Sequence, residues 1–171
     1  MQTQNFGWGF VNFDQLFDDV YPRLHRYCTR MTADADVAED AAQEAFVRLL
    51  HRDVTGDAAG VRAWLFKVAT HLVRDGARVR NNRERLLRAN PMDTVEDVTP
   101  ELELVRKERI DAVRRALETL EDRDRTLLLL REEGLSYREL ALAIDVKASS
   151  VGTLLARARR RLAGALNGEE T

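Results

Sequence analysis

Cysteine is nearly absent: Cys28 is the single one in 171 residues, so neither an internal disulfide nor a multi-cysteine metal site is possible. Aromatics make up only 6%, prolines number 3, and long β-branched runs are missing, a balance that favours helices over sheets. No apolar run approaches the roughly 20 residues that a membrane span requires. Met1 to Phe13 lacks a basic n-region and an alanine-type cleavage site, so no secretory signal is expected and the chain reads as cytoplasmic. The 3 histidines form no Glu-x-x-His or His-x-x-x-His pair, and no Ser/His/Asp or Cys/His constellation has supporting spacing. No catalytic residue, metal ligand or cofactor is therefore expected.

Net charge is −2, which taken alone argues against a nucleic-acid partner. The distribution reverses that impression. Asp14 to Asp53 holds 5 basic and 9 acidic residues, whereas Arg62 to Arg88 holds 8 basic and 2 acidic. Asp93 to Glu103 holds 5 acidic residues and no basic one; Asp145 to Leu166 holds 5 basic and 1 acidic. Two basic blocks set between acidic ones point to two nucleic-acid contacts on a chain that also meets another protein.

Hydrophobic periodicity predicts the helices. After a lead-in without a period, Phe13, Leu16, Phe17, Val20, Leu24, Tyr27, Cys28 and Met31 form one apolar stripe. Pro22 lies inside it and is expected to kink it; Cys28 sits on the buried side and reads as core. Asp34 is placed to cap a second helix in which Ala38, Ala42, Ala45, Phe46 and Leu49 share one face. Asp40, Gln43, Glu44 and Val47 share the opposite face, either as a solvated surface or as a docking surface for a basic partner. His51 to Gly60 is a break with two glycines, and no Gly-Lys-Ser/Thr follows, so it is not a phosphate loop. A third helix is expected from about Val61 to Arg80, with Val61, Trp64, Leu65, Val68, Ala69 and Leu72 inward. Its other side carries Lys67, His71, Arg74 and Arg78, a row of one sign that can follow a phosphate backbone.

From Asn81 to about Pro100 no period persists, which reads as a linker. Leu104, Ile110, Val113, Leu117 and Leu120 then suggest a helix, and Thr126 to Arg131 belong to another that ends at Gly134. Ser136-Tyr-Arg-Glu139 is a capping box, opening a short helix with Leu140, Ala141 and Ile144 inside. After the turn at Asp145, a last helix over Ser149 to about Leu166 turns Val151, Leu155, Ala158 and Leu162 inward. Short helix, tight turn and basic second helix make a helix-turn-helix. The fold class expected is all-α: two small helical domains, 13–80 and 101–166, joined by a flexible linker over 81–100.

Three stretches carry a resemblance. Asp40-x-x-Gln43-Glu44-x-Phe46-x-x-Leu49 resembles the polymerase-binding helix (region 2.2) of extracytoplasmic function, or ECF, sigma factors, which direct bacterial RNA polymerase to promoters. Arg62-Ala-Trp-Leu-Phe-Lys-Val-Ala-Thr-His71, followed by Asp75 and Arg78, is similar to the helix that opens the −10 element, with His71 where asparagine is usual. Glu139 to Arg159 resembles the −35-reading helix-turn-helix of region 4, with Val151, Leu155, Arg157, Ala158 and Arg159 in agreement. Asp145 replaces the usual turn glycine, Ser149 and Ser150 replace Gly-Thr, and Gly152 and Leu154 stand where Lys and Arg are frequent. Two DNA contacts usual in the family are therefore absent.

The resemblance implies a protein that binds core RNA polymerase through its beta-prime clamp and beta flap, and that binds promoter DNA. An anti-sigma factor is a further partner it implies; membrane insertion is not. Asp40, Gln43, Glu44 and Val47 would bind polymerase. Val54, Thr55, Gly56, Asp57, Lys67, His71, Arg74 and Arg78 would meet the −10 strand. Tyr137, Arg138, Ser149, Ser150, Thr153, Arg157 and Arg160 would meet the −35 element. With five residues after Leu166, no C-terminal sensory extension is expected. The alternative is a stand-alone helix-turn-helix regulator, which gives no task to the second and third helices; an enzyme lacks any supporting motif.

Overall fold

The stripe that begins at Phe13 becomes α1 (Phe13–Thr32), which buries Leu16, Val20, Leu24, Tyr27, Cys28 and Met31 and continues through Pro22. The computed structural model describes residues 13–52, 54, 57–84 and 100–168, with backbone alone for 77–84 and 100–106. Asp34 caps α2 (Ala35–His51), its carboxylate accepting from the Val37 amide at 3.1 Å. The buried face of α2 is Ala38, Ala41, Ala42, Ala45, Phe46 and Leu49, and its small side chains let α1 come close. Phe46 anchors that contact. Phe17 meets it edge-on at 5.0 Å and stacks on Tyr21 at 4.7 Å.

The third helix is longer than its sequence pattern indicates. α3 (Ala58–Glu84) starts three residues before the expected Val61, because Asp57 caps it: its carboxylate accepts from the Gly60 amide and its carbonyl from Val61. It also runs past Arg80, so 81–84 is helix where a linker was expected. The rest of that expected linker, 85–99, lies outside the described residues. Phe66 was missing from the expected inward face of α3, yet it is fully buried, while Trp64, Val68 and Leu72 are only partly so. Helix neighbours on two sides explain this. α3 packs on α1 and α2 with one side and on α6 with another, which blurs a 3.6-residue pattern.

The second unit comprises α4 (Pro100–Thr119), α5 (Asp122–Glu132), α6 (Tyr137–Ala143) and α7 (Ala148–Asn167). α5 ends in a Schellman arrangement at Gly134, φ 81°, with Leu135 N–H on the Leu130 carbonyl and Gly134 N–H on that of Arg131. Ser136 and Glu139 form the expected capping box on α6. Asp145 makes the turn in the left-handed region at φ 54°, where glycine is otherwise favoured. On α7, Val151, Leu155 and Ala158 are buried, and Leu162 only partly. α4 departs most from expectation. Ala116 is its one buried hydrophobic side chain among those described, and Ile110 and Val113 are 49% and 41% exposed.

One hydrophobic cluster runs through both units, from Leu24 and Phe66 to Leu127, Leu130 and Leu140. The two halves are therefore packed on each other. Within this core, burial pushes the Cys28 thiol up to about 12. At pH 8 its reaction with an aromatic disulfide reagent is expected to run roughly a thousandfold slower than in the unfolded chain, where the thiol titrates near its ordinary value. Comparing Ellman titrations with and without guanidinium checks it; rapid native labelling would place Cys28 outside the core. Because folding raises this pKa, the thiol's contribution to stability is complete below about pH 8.5 and is lost as pH rises toward the folded value.

Candidate polymerase and nucleic-acid interfaces

Since alanines hold one face of α2 against the bundle, the opposite face is turned outward. Asp40 and Gln43 are exposed, Val47 is 45% exposed, and Glu44 lies half-exposed beside them. Gln43 donates to Glu39 at 2.9 Å and Glu44 pairs with Arg48 at 2.8 Å, both one turn away on the same helix. No residue of another helix contributes to either contact. The sequence-derived set on α2 is thus brought together on one surface.

The set expected to meet the −10 strand is divided. Thr55 and Gly56 lie outside the described residues, and so does the side chain of Arg78. Val54 is half-buried against the core. His71 is exposed. Asp57 caps α3 and also accepts from Arg138 at 3.0 Å; the Gly60 amide, with Arg138 beside it, holds its carboxyl below the usual range. Lys67 and Arg74 do lie along one side of α3, but both reach across to the second unit. Lys67 Nζ is 2.6 Å from Asp145, and Arg74 Nε is 2.5 Å from Asp122, with a hydrogen bond to Thr126 at 3.0 Å.

Sequence reasoning missed the partners of this seam. Glu133, its side chain 1% exposed, meets Arg26 at 2.5 Å and Arg30 at 3.4 Å, while its carbonyl accepts from Arg23. The hydrogen bond to Glu133 raises the Arg26 guanidinium above its ordinary value. Arg62 reaches Glu139 at 2.5 Å. Burial pushes the Glu139 carboxyl up, but the Ser136 hydrogen bonds and Arg62 outweigh that and leave it below the usual carboxylate range. These partners stand 77 to 110 residues apart in the chain, beyond the reach of any local pattern.

On the helix-turn-helix, Ser149, Thr153 and Arg160 are exposed and Ser150 is half-buried. Tyr137 is exposed at the start of α6, with the Arg131 guanidinium 5.7 Å above its ring. A Cβ on Gly152 would stand 3.7 Å from that ring, an ordinary contact, so sterics do not require glycine there. Arg157 leans toward Asp124 at 4.0 Å. Arg161 holds the same buried carboxylate at 2.5 Å, tying α7 to α5. No sequence signal marks Asp124 as buried.

A helical bundle with an outward carboxylate face, joined to a helix-turn-helix, defines a DNA-directed transcription protein. Sigma-70 region 2 matches residues 16–84 and Sigma-70, region 4 matches residues 110–162. The RNA polymerase sigma-H factor of Pseudomonas aeruginosa is 30% identical over 166 residues, covering 90% of this chain and 86% of that one. The sigma factor YlaC of Bacillus subtilis is 29% identical over 157 residues, covering 88% and 90%. The ECF sigma factor SigE of Mycolicibacterium smegmatis is 30% identical, and the match spans 60% of that longer protein. The structure of the sigma factor RpoE with the anti-sigma factor NepR from Bartonella quintana superposes with a TM-score of 0.63 at 19% identity, over 92% of this chain and 98% of that one, a likeness of fold. The chain belongs to the sigma-70 family of RNA polymerase sigma factors, in its ECF group. It binds core RNA polymerase and promoter DNA and directs transcription initiation. Among the described residues, no helix is long and apolar enough to cross a membrane.

Proposed function

We propose that α2 docks on the beta-prime clamp of core polymerase through Asp40, Gln43, Glu44 and Val47, and that α3 with the loop before it holds the opened −10 strand. The observation that carries this is the α2 face itself: polar, outward, and opposite an alanine seam that already accounts for the packing. Lys67, His71, Arg74 and Arg78 serve the −10 phosphates, and Val54, Thr55, Gly56 and Asp57 frame the strand's entry. The domains divide these tasks as the sequence implies, polymerase docking and −10 opening over 13–80 and −35 reading over 101–166. The beta flap meets the second unit at the exposed apolar residues Ile110 and Val113 of α4, which border a groove of about 800 Å³ lined on its other side by Thr29 to Ala33. The protein acts in the cytoplasm and performs no catalytic step of its own.

At −35, Tyr137, Arg138, Ser149, Ser150, Thr153, Arg157 and Arg160 make the contacts. Few long side chains here reach base edges, and Arg157 is drawn toward Asp124, so phosphate contacts and DNA shape dominate over base hydrogen bonds. Run-off transcription with purified core polymerase on genomic fragments tests the whole reading. Discrete transcripts that depend on this chain are expected, with scrambling of the −35 element costing less than scrambling of the −10. Tight duplex binding without polymerase, and no transcript with it, would establish the stand-alone regulator instead.

A further inference from the structure

The seam between the two units has a sign. The first unit contributes Arg23, Arg26 and Arg30 of α1 and Arg62, Lys67 and Arg74 of α3; the second contributes Asp122, Glu133, Glu139 and Asp145. Among the described residues, Arg138 to Asp57 is the one side-chain ion pair across the seam in the reverse sense. An interface selected only for packing mixes its signs, because exposed pairs are worth a few tenths of a kcal/mol in either direction. Here one side is predominantly cationic, with Asp19 alone among its arginines, 3.8 Å from Arg23 and 3.7 Å from Arg62, and the other supplies carboxylates to it. Glu133 is the extreme case, a carboxylate nearly closed off from solvent with two guanidiniums on its oxygens.

We propose that Arg23, Arg26, Arg30 and Arg62 are a nucleic-acid phosphate-binding strip, continuous with Lys67 and Arg74, and that Glu133 and Glu139 occupy it while the two units are closed on each other. The inference rests on the reading of α3 as a strand-binding helix and extends it to α1. Residues 23, 26 and 30 lie three and four apart, so they line one side of α1 over about 10 Å. Guanidinium presents the same planar fork to phosphate as to carboxylate, so a strip that holds Glu133 and Glu139 is shaped for backbone phosphates. Arg26 and Arg30 remain 51% and 42% exposed even in the closed chain. They are therefore available as soon as Glu133 withdraws. An acidic protein segment would answer to the same charge, but the strip meets the α3 row at Arg62, where Asp19 bridges Arg23 and Arg62, and a single strand supplies anions along both helices.

The test uses the full chain and a fluorescein-labelled single-stranded oligonucleotide of 20 thymidines (about 20 nucleotides being enough to span both helices), followed by anisotropy from low to moderate salt. Glu133→Gln with Glu139→Gln removes both surrogate charges, and glutamine keeps the capping box. This variant is expected to bind roughly tenfold more tightly than the parent, since the competent state is no longer masked. Adding Arg26→Ala and Arg30→Ala should reverse the gain and lower the log–log salt slope by about 1.4, the loss of two single-strand phosphate contacts. Arg26→Lys with Arg30→Lys should keep the slope, and circular dichroism confirms that each variant is folded. If the alanine pair leaves binding and slope unchanged while Lys67→Ala with Arg74→Ala lowers both, the α1 strip is overturned and the α3 reading stands. If neither pair alters binding, the α3 reading falls with it. Binding of poly-glutamate in preference to the oligonucleotide, lost with the alanine pair, would also overturn the proposal and make the partner an acidic protein.

Discussion

Reversing both carboxylates of the α2 face, Asp40→Arg with Glu44→Arg, is expected to weaken binding to core polymerase at least about a hundredfold, or roughly 2.7 kcal/mol. The local cost should be far smaller. Glu44 and Arg48 form an i,i+4 pair with both side chains 45% exposed, which is worth about 0.3–0.5 kcal/mol. Replacing it by a like-charge contact costs a similar amount again, so the chain loses no more than about 1 kcal/mol, a few degrees in Tm at this length. Docking energy and folding energy therefore separate by their size. Competition for core polymerase against an unmodified labelled chain measures the first, and a thermal melt at 222 nm measures the second. Full affinity in the double variant would show that the α2 face is only a solvated surface.

How much of this was legible in the sequence depends on the range of the interaction. Asp34, Gly134, the Ser136–Glu139 box and the left-handed Asp145 are local devices, in which a side chain or a single φ acts within a few residues, and all four were readable. The α1 stripe and the alanine face of α2 were readable because the buried side chains of each helix recur at the helical period on a single face. α3 was read less well. Its cap, Asp57, stood in a glycine-containing stretch that reads as loop, and its burial on two sides hid Phe66. The closed seam was not readable at all. Basic and acidic blocks give the sign of each region but no register, and nothing local says that Glu133 meets Arg26 across 107 residues. Composition also suggested two separate halves, whereas the apolar cluster that joins them uses leucines each half needs for itself.

The second large effect concerns the strand. Lys67→Ala with Arg74→Ala removes two cations that hold the seam in the free chain and that are assigned to −10 phosphates in the promoter complex, and the two losses act in opposite directions. Without Lys67–Asp145 and Arg74–Asp122 the two units part more easily, which favours entry into the polymerase complex. Both pairs are partly exposed, so that gain is small, about 1 kcal/mol or less in total, and it fades with salt. Loss of two phosphate contacts on an unpaired strand lowers the salt slope of promoter opening by about 1.4, and in moderate salt that outweighs the seam. Holoenzyme made with the double variant should therefore still bind duplex promoter, yet show permanganate reactivity of the −10 thymines reduced roughly tenfold, a deficit that shrinks as salt is raised further. Restoring charge with Lys67→Arg and Arg74→Lys should return most of the signal. A normal bubble in the alanine variant would confine Lys67 and Arg74 to the seam and remove α3 from strand opening.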